Sequence, residues 1–243
     1  MADLEDAVLP AAKAAARETV AQIFAGTEGA PQLRLVRVNA AGTEFFADDV
    51  ELVRSLQLDA IVLPKASPAA VEEISRVGRP VLALIETARG VLRAEEIACA
   101  PDVFALLLGG VDLSLELGLE SRPDGLELLH ARSTVVVASA AAGIRQPFDV
   151  VHMSVGDDAG LQQEALVARS LGFGGKACIH PGQLATVNRV FSRSADAVAW
   201  ARRVLETADR AAAEGRGAAL LDGSLVDAPV VERARRILAE SGD

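Results

Sequence analysis

Charged side chains follow several short aliphatic runs of this 243-residue chain, at the point where each run ends. Glu86 directly follows the run VLALI, and Asp112 follows ALLLGGV. An ionised carboxylate at the end of a buried strand is costly unless a cation pairs with it. Glu86 and Asp112 could therefore share a divalent cation, and hard oxygen ligands with room for water suit Mg²⁺.

Other polar residues lie at further strand ends. Arg37, in LRLVRVN, carries a planar guanidinium that can hold a carboxylate through two hydrogen bonds. The remaining candidates are Asp3, Glu5, Asp6, Lys65, His152 and His180. Each also has a structural interpretation: a surface ion pair, a histidine bonded to backbone groups, or an acidic turn at a helix entry. A possible metal pair and a carboxylate-binding arginine on one rim favour the functional interpretation.

The elements that must position these residues alternate between aliphatic runs and amphipathic stretches. The predicted strands are 33–39, 60–64, 80–85, 103–108, 149–153 and 176–179, and the predicted helices are 10–24, 47–57, 68–77, 92–100, 124–142 and 158–171. Strands and helices that alternate at this spacing predict a parallel sheet. No Gly-rich phosphate loop follows the first strand, so we favour an α/β barrel over an open dinucleotide-binding sheet.

The pattern changes after about residue 192. Residues 194–214 predict one long helix, a Gly-rich turn follows, and residues 228–240 predict a last helix. We therefore expect a barrel domain over 1–192 and a C-terminal helical arm over 193–243, where the arm could act as a lid.

The amino-acid composition limits the kinds of binding partner that we expect. Acidic residues exceed basic ones, with a formal net charge of −10 and no basic stripe, so nucleic acid and anionic membranes are poor candidates. No apolar run reaches the roughly 20 residues of a membrane span. Two cysteines far apart are typical of buried thiols in a reducing compartment. We expect a cytoplasmic protein.

The motifs ADLEDAV, LRLVRVNAAGT, IVLPK, ALIETARGVLRAEEIA, LGGVDL, ARSLGFGGKACIHPGQ, AWARRVL and DGSLVDAPVVERA run in order along most of the chain. Together they resemble the citrate lyase beta-subunit-like branch of the HpcH/HpaI aldolase family. The resemblance implies a (β/α)8 TIM barrel, a homotrimer or hexamer, and a C-terminal arm that packs over a neighbouring subunit.

The resemblance also implies residue roles. Glu86 and Asp112 would bind Mg²⁺, and Arg37 would hold the carboxylate of a 2-keto acid. The substrate would lie against four residues: Arg37, Asp6, Gly110 and Val111. Glu5, Arg37 and Asp227 would be catalytic, with Asp227 offered from the adjacent chain as acid or base.

Two features depart from the family pattern. Relatives carry a strand and a helix before the D-L-E-D motif, whereas here Met1 stands just ahead of it. We therefore predict a barrel that lacks its first strand and helix, a segment that commonly contacts coenzyme A phosphates. Gly110-Val111-Asp112 also replaces the Ala-Glu-Asp of many relatives, which removes an acidic neighbour of the metal ligand.

The leading functional prediction is an Mg²⁺-dependent carbon–carbon lyase. Its substrate would be a short 3-hydroxyacyl-CoA of the citramalyl-, malyl- or citryl-CoA type, cleaved to acetyl-CoA and a 2-keto acid. One alternative is a class II aldolase that acts on free keto acids and aldehydes. Another is a non-catalytic subunit of a lyase complex that binds keto acids.

Overall fold

The computed structural model describes residues 1–25, 33–122 and 124–241. The chain divides into two compact units, Met1–Val190 and Phe191–Asp243. Residues 26–32, between the first helix and the second strand, lie outside the described residues. Among the described residues, no helix is long and apolar enough to cross a membrane.

The first unit is built on one parallel sheet. Its seven strands are β1 (Ala2–Asp3), β2 (Leu35–Arg37), β3 (Ala60–Leu63), β4 (Val81–Ile85), β5 (Val103–Leu108), β6 (Phe148–Asp149) and β7 (Gly175–Lys176). Each strand pairs in parallel with the next along the chain, in the order β1 to β7. Sequential parallel pairing is the topology of a (β/α)8 barrel, so the predicted fold class is confirmed, with seven strands among the described residues.

Helices follow the strands. They are α1 (Lys13–Ala25), α2 (Phe46–Ser55), α3 (Pro68–Ser75), α4 (Ala88–Leu92), α5 (Ala94–Ala98), α6 (Gly110–Leu117), α7 (Leu129–Ala141), α8 (Asp158–Leu171) and α9 (Leu184–Phe191). Side chains of Ser67, Thr87 and Asp157 cap α3, α4 and α8 by accepting backbone N–H bonds three residues on. The sequence pattern missed α6, α9 and all but the last residue of α4, since its predicted helix 92–100 corresponds to α5.

The last two strands are shorter than predicted. We expected strands over 149–153 and 176–179, but only two residues of each are paired. The Gln183 side chain donates to the His152 carbonyl and accepts from the Ile179 N–H. Because this amide satisfies the backbone in place of a neighbouring strand, both predicted strands end early.

The core is aliphatic, as the scarcity of aromatic residues requires. All residues of β3 and β4 are buried, on both faces of the sheet. Val62, Leu82 and Ala105 pack together from three adjacent strands. Strands covered on both faces give continuous apolar runs, which explains the clarity of this part of the pattern.

The second unit is a helical arm with a small hairpin. It contains α10 (Ala195–Ala213), β8 (Ala219–Leu221), β9 (Ser224–Val226) and α11 (Ala228–Ser241). Asp222 and Gly223 connect the two strands, both with positive φ, which suits a two-residue hairpin turn. Its buried core consists of Ala201, Val204, Val226, Ala234 and Ile237.

Candidate active site

Glu86 lies immediately after β4 and is only 3% exposed. Its Oε1 accepts the Lys65 backbone N–H at 2.8 Å. Burial raises the pKa of the Glu86 carboxyl to about 8, and the nearby negative charges of Glu5 and Asp112 add to the rise. A buried carboxylate in this electrostatic setting is suited to bind a cation.

Gly109 has no side chain, and this leaves room for Glu86. A Cβ built on Gly109 would lie 2.5 Å from the Glu86 Cβ and 2.7 Å from its Oε2. Real Cβ atoms do not approach other atoms that closely, so only glycine fits between β5 and α6. The Gly109 N–H also bonds the Ile85 carbonyl at 2.9 Å, which ties the end of β5 to the residue before Glu86.

Asp112 lies in the first turn of α6, and its charge is close enough to act on Glu86. Among residues 1–25, 33–122 and 124–241, no three acidic, histidine or cysteine side chains form a group that could hold a metal ion. The assignment of Glu86 and Asp112 as metal ligands remains a prediction. Mg²⁺ commonly binds one or two carboxylates and completes its shell with water and substrate oxygens.

Glu5 follows β1 and is 5% exposed. Its Oε1 accepts from the Lys65 ammonium at 2.8 Å, and its Oε2 lies 3.0 Å from the Arg37 guanidinium. Burial raises the pKa of the Glu5 carboxyl, and this outweighs the two neighbouring cations, which lower it. Glu5, Arg37, Lys65 and Glu86 thus form one contiguous charged cluster.

Arg37 also pairs with Asp3, which the sequence indicated only as one of several polar residues at strand ends. Its Nε and Nη2 donate to the two carboxylate oxygens of Asp3, both at 2.7 Å. These two hydrogen bonds occupy two of the five guanidinium N–H groups, whereas Glu5 Oε2, 3.0 Å from Arg37 Nη1, is an ion-pair partner without a hydrogen bond. The Asp3 carboxylate raises the pKa of Arg37 above its usual range, so the guanidinium stays charged.

Lys65 contributes both its main chain and its side chain to the cluster. It has φ of +46°, a left-handed conformation that is rare for lysine. Its backbone N–H bonds Glu86, and its ammonium bonds Glu5 and lies 3.9 Å from Glu86 Oε1. The sequence left open an ion pair or a substrate contact, and the ion pair is present.

Two cavities adjoin these residues. Asp6 is exposed and, with Glu5 and Lys65, lines a cavity of about 360 Å³. Gly110 and Val111 open α6 and line a second cavity of about 490 Å³. Of the four residues that the resemblance assigned to the substrate, Asp6 borders one cavity, Gly110 and Val111 border the other, and Arg37 lines neither.

The two histidines have structural partners. His152 Nδ1 lies 2.9 Å from Glu164, and His180 Nδ1 accepts the Gly182 N–H at 3.0 Å. His180 thus has the backbone contact of the structural interpretation, whereas the His152 ring contacts a carboxylate side chain. Asp227 belongs to the second unit, where its side chain accepts the Val230 N–H at 3.4 Å at the start of α11.

Comparison with known proteins identifies the family. The model of the HpcH/HpaI aldolase/citrate lyase family matches residues 1–181. The chain belongs to this family. It is also 39% identical over 246 residues to the citrate lyase subunit beta-like protein of Mycobacterium tuberculosis, covering 99% of this chain and 86% of the relative. The sequence-based family assignment is confirmed.

Two further relatives show the range of names within the family. The (3S)-malyl-CoA thioesterase of Cereibacter sphaeroides is 36% identical, covering 98% of this chain and 85% of that protein. The crystal structure of CitE from M. tuberculosis in complex with magnesium, acetoacetate and coenzyme A superimposes with a TM-score of 0.83. That structure is 39% identical, with 99% of this chain and 88% of that chain covered.

Proposed function

We propose that this HpcH/HpaI family member is an Mg²⁺-dependent carbon–carbon lyase. It would cleave a short 3-hydroxyacyl-CoA, such as citramalyl-, malyl- or citryl-CoA, into acetyl-CoA and a 2-keto acid. The observation that carries the proposal is the buried Glu86, electrostatically coupled to Asp112 and continuous with Glu5, Lys65 and Arg37. The named relatives include citrate lyase beta subunits and a malyl-CoA thioesterase, which supports this substrate class.

The residues present fit a magnesium ion. Glu86 and Asp112 supply hard oxygen ligands, and the absent side chain of Gly109 leaves the Glu86 carboxylate unobstructed. A bound Mg²⁺ supplies Lewis-acid stabilisation to the substrate oxygen on which negative charge develops. Magnesium is present in the related structures of CitE with acetoacetate and of the citrate lyase beta subunit with oxaloacetate, both from M. tuberculosis, which supports the same choice here.

Cleavage moves one proton off the substrate and returns one. The 3-hydroxyl loses its proton and becomes the keto group as the C2–C3 bond breaks. The electron pair passes to the thioester as an enolate, which then takes up a proton to give acetyl-CoA. Glu5 is a suitable proton acceptor because burial raises its pKa, and Arg37 would orient the keto-acid carboxylate with its remaining N–H groups.

We assign the return of the proton to Asp227 from an adjacent chain, and accordingly expect a homotrimer or hexamer. Its side chain caps α11, which fixes one carboxylate oxygen and leaves the other for chemistry. An acid on a separate helical arm could also shield the reacting carbonyl from water.

The test is product release from purified full-length protein. Citramalyl-, malyl- and citryl-CoA are incubated with and without Mg²⁺, and pyruvate, glyoxylate, oxaloacetate and free CoA are measured. We expect keto acid and acetyl-CoA in equal amounts, only with Mg²⁺. Glu86→Gln should abolish release, whereas Glu96→Gln, which alters a surface pair with Arg93, should not.

Other outcomes identify the alternatives. Release of CoA without a keto acid from malyl-CoA would indicate a thioesterase. Turnover of free keto acids with aldehydes, but not of thioesters, would indicate a class II aldolase. Calorimetric binding of Mg²⁺ and oxaloacetate without any turnover would indicate a non-catalytic keto-acid-binding subunit, and each of these results would refute the lyase proposal.

A further inference from the structure

Lys13, the first residue of α1, is a buried lysine that the proposed reaction does not use. It is 6% exposed, and its ammonium donates three hydrogen bonds. The acceptors are the Leu4 carbonyl at 2.7 Å, the Glu5 carbonyl at 2.7 Å and Asn39 Oδ1 at 2.6 Å. The three N–H groups of the ammonium are therefore all satisfied, as a buried charge requires.

The two carbonyl contacts define the backbone at Glu5. Successive carbonyls of a strand point in opposite directions, whereas those of Leu4 and Glu5 converge on one ammonium. The chain therefore leaves the strand at Leu4, directly after β1 ends at Asp3. This turn delivers the Glu5 carboxylate to Lys65 and Arg37.

The third contact ties Lys13 to a rigid support. Asn39 donates its backbone N–H and its side-chain amide to Asp49 Oδ2, at 2.7 and 2.6 Å. Asp49 is fully buried, and its Oδ1 accepts from Arg17 Nε at 2.7 Å. The ammonium is thus held by a network that joins α1, α2 and the segment after β2.

We propose that Lys13 is a positioning residue for Glu5. It sets the backbone turn that places the Glu5 carboxylate between Lys65 and Arg37, and it acts on the reaction only through that placement. The inference rests on the proposed function, in which Glu5 accepts the substrate proton. Misplacement of a reacting group by about 1 Å lowers turnover by roughly 100-fold, so a defect at Lys13 is measurable in kcat.

The chain offers a matched control. Lys176 is also fully buried, and its ammonium pairs with Asp149 and Glu164 rather than with backbone near Glu5. Lys13→Met and Lys176→Met therefore make the same chemical change in two buried sites. Both variants should lose stability in thermal unfolding, because Lys13→Met removes the ammonium donor of Asn39 Oδ1, and Lys176→Met leaves the buried Asp149 with Arg132 as its remaining cation.

The readout that separates positioning from stability is kinetic. For folded Lys13→Met we expect kcat to fall about 100-fold with the KM for the thioester unchanged, while Lys176→Met keeps the wild-type kcat. Calorimetric Mg²⁺ affinity should stay unchanged in both, because neither lysine touches Glu86 or Asp112. In a Glu5→Gln background, Lys13→Met should lower kcat no further.

Two results would overturn the inference: equal kcat losses in the two methionine variants, or a further loss in the Glu5→Gln background. If Lys13→Met does not fold, Lys13→Gln retains an amide donor for the two carbonyls and should give a smaller kcat loss. If the wild type turns over no thioester, the lyase proposal fails on its own. A crystal structure of the Lys13 variant then decides the inference, since an unmoved Glu5 carboxylate would refute it.

Discussion

Gly109 is the position where one added methyl group should disable the metal site. Its φ and ψ of −95° and 78° are accessible to alanine, so Gly109→Ala introduces no left-handed backbone strain. The new Cβ would stand 2.5 Å from the Glu86 Cβ, 2.7 Å from its Oε2 and 3.1 Å from Leu84 Cδ1. Because Glu86 is held by the Lys65 N–H on its other oxygen, it must give up that bond to move away.

Two magnitudes follow from this geometry. Overpacking of a buried site costs about 1–3 kcal/mol of stability. Disturbance of a metal ligand's support typically weakens metal affinity by about 10- to 100-fold, which is about 1.4–2.8 kcal/mol of binding free energy. We therefore expect Gly109→Ala to fold with reduced stability and to bind Mg²⁺ at least tenfold more weakly.

Calorimetric Mg²⁺ titration and thermal unfolding of the same preparations check this prediction. The control is Gly175→Ala in β7, whose Cβ would meet the Phe148 ring at 2.8 Å. That variant is overpacked in the same barrel without touching Glu86, so it should lose stability but keep its Mg²⁺ affinity. Unchanged Mg²⁺ affinity in Gly109→Ala, or equal affinity losses in both variants, would refute the reasoning.

Three further predictions concern the charged cluster and the arm. Since the pKa of Glu86 is raised from 4.5 to about 8, its contribution to stability is present below pH 4.5 and is lost as pH rises through 8. The free energy of unfolding of the wild type, measured in the presence of a metal chelator between pH 4.5 and 8, should show that loss of stability. A free energy of unfolding that does not change with pH in Glu86→Gln would confirm Glu86 as its source. Lys65→Gly keeps the backbone N–H bond to Glu86 and relieves the strain of the positive φ, but it removes the ion pair with Glu5. We therefore expect a lower kcat with little change in melting temperature. A wild-type kcat in this variant would contradict the prediction. Asp227→Asn retains a good helix cap, so the melting temperature should be unchanged while the rate of keto-acid release falls strongly. Release at the wild-type rate would show that Asp227 has no part in the mechanism.

The sequence predicted the centre of the barrel better than its ends. The run Val81–Ile85 is buried throughout, and a strand covered on both faces leaves a continuous apolar pattern that places Glu86 at its end. The later strands were overextended because Gln183 satisfies the backbone where strand pairing was expected. The contact with His152 joins positions 31 residues apart in sequence and leaves no local pattern.

The contacts within the site required tertiary information. Asp3 and Arg37 pair directly in the register between β1 and β2, although 34 residues separate them. From sequence, Arg37 was a carboxylate-binding residue, and nothing local indicated that an internal carboxylate already contacts it. Helix α6 was missed because glycine precedes it and glycine begins it, and glycine has a low helix propensity; Gly109 and Gly110 instead allow close packing against Glu86 and Val150.

The charges of the cluster explain why a divalent cation suits it. Asp3, Glu5, Asp6, Glu86 and Asp112 contribute five carboxylates, while Arg37 and Lys65 contribute two cations. Three negative charges therefore remain when all these groups are ionised, and a proton on Glu86 relieves part of this excess. A divalent cation would neutralise two of them and would displace that proton, so Mg²⁺ binding should release protons near pH 7 and tighten as pH rises towards 8. Titrations in two buffers of different ionisation enthalpy measure the released proton, and its absence would show that Glu86 is not the group that exchanges a proton for the metal.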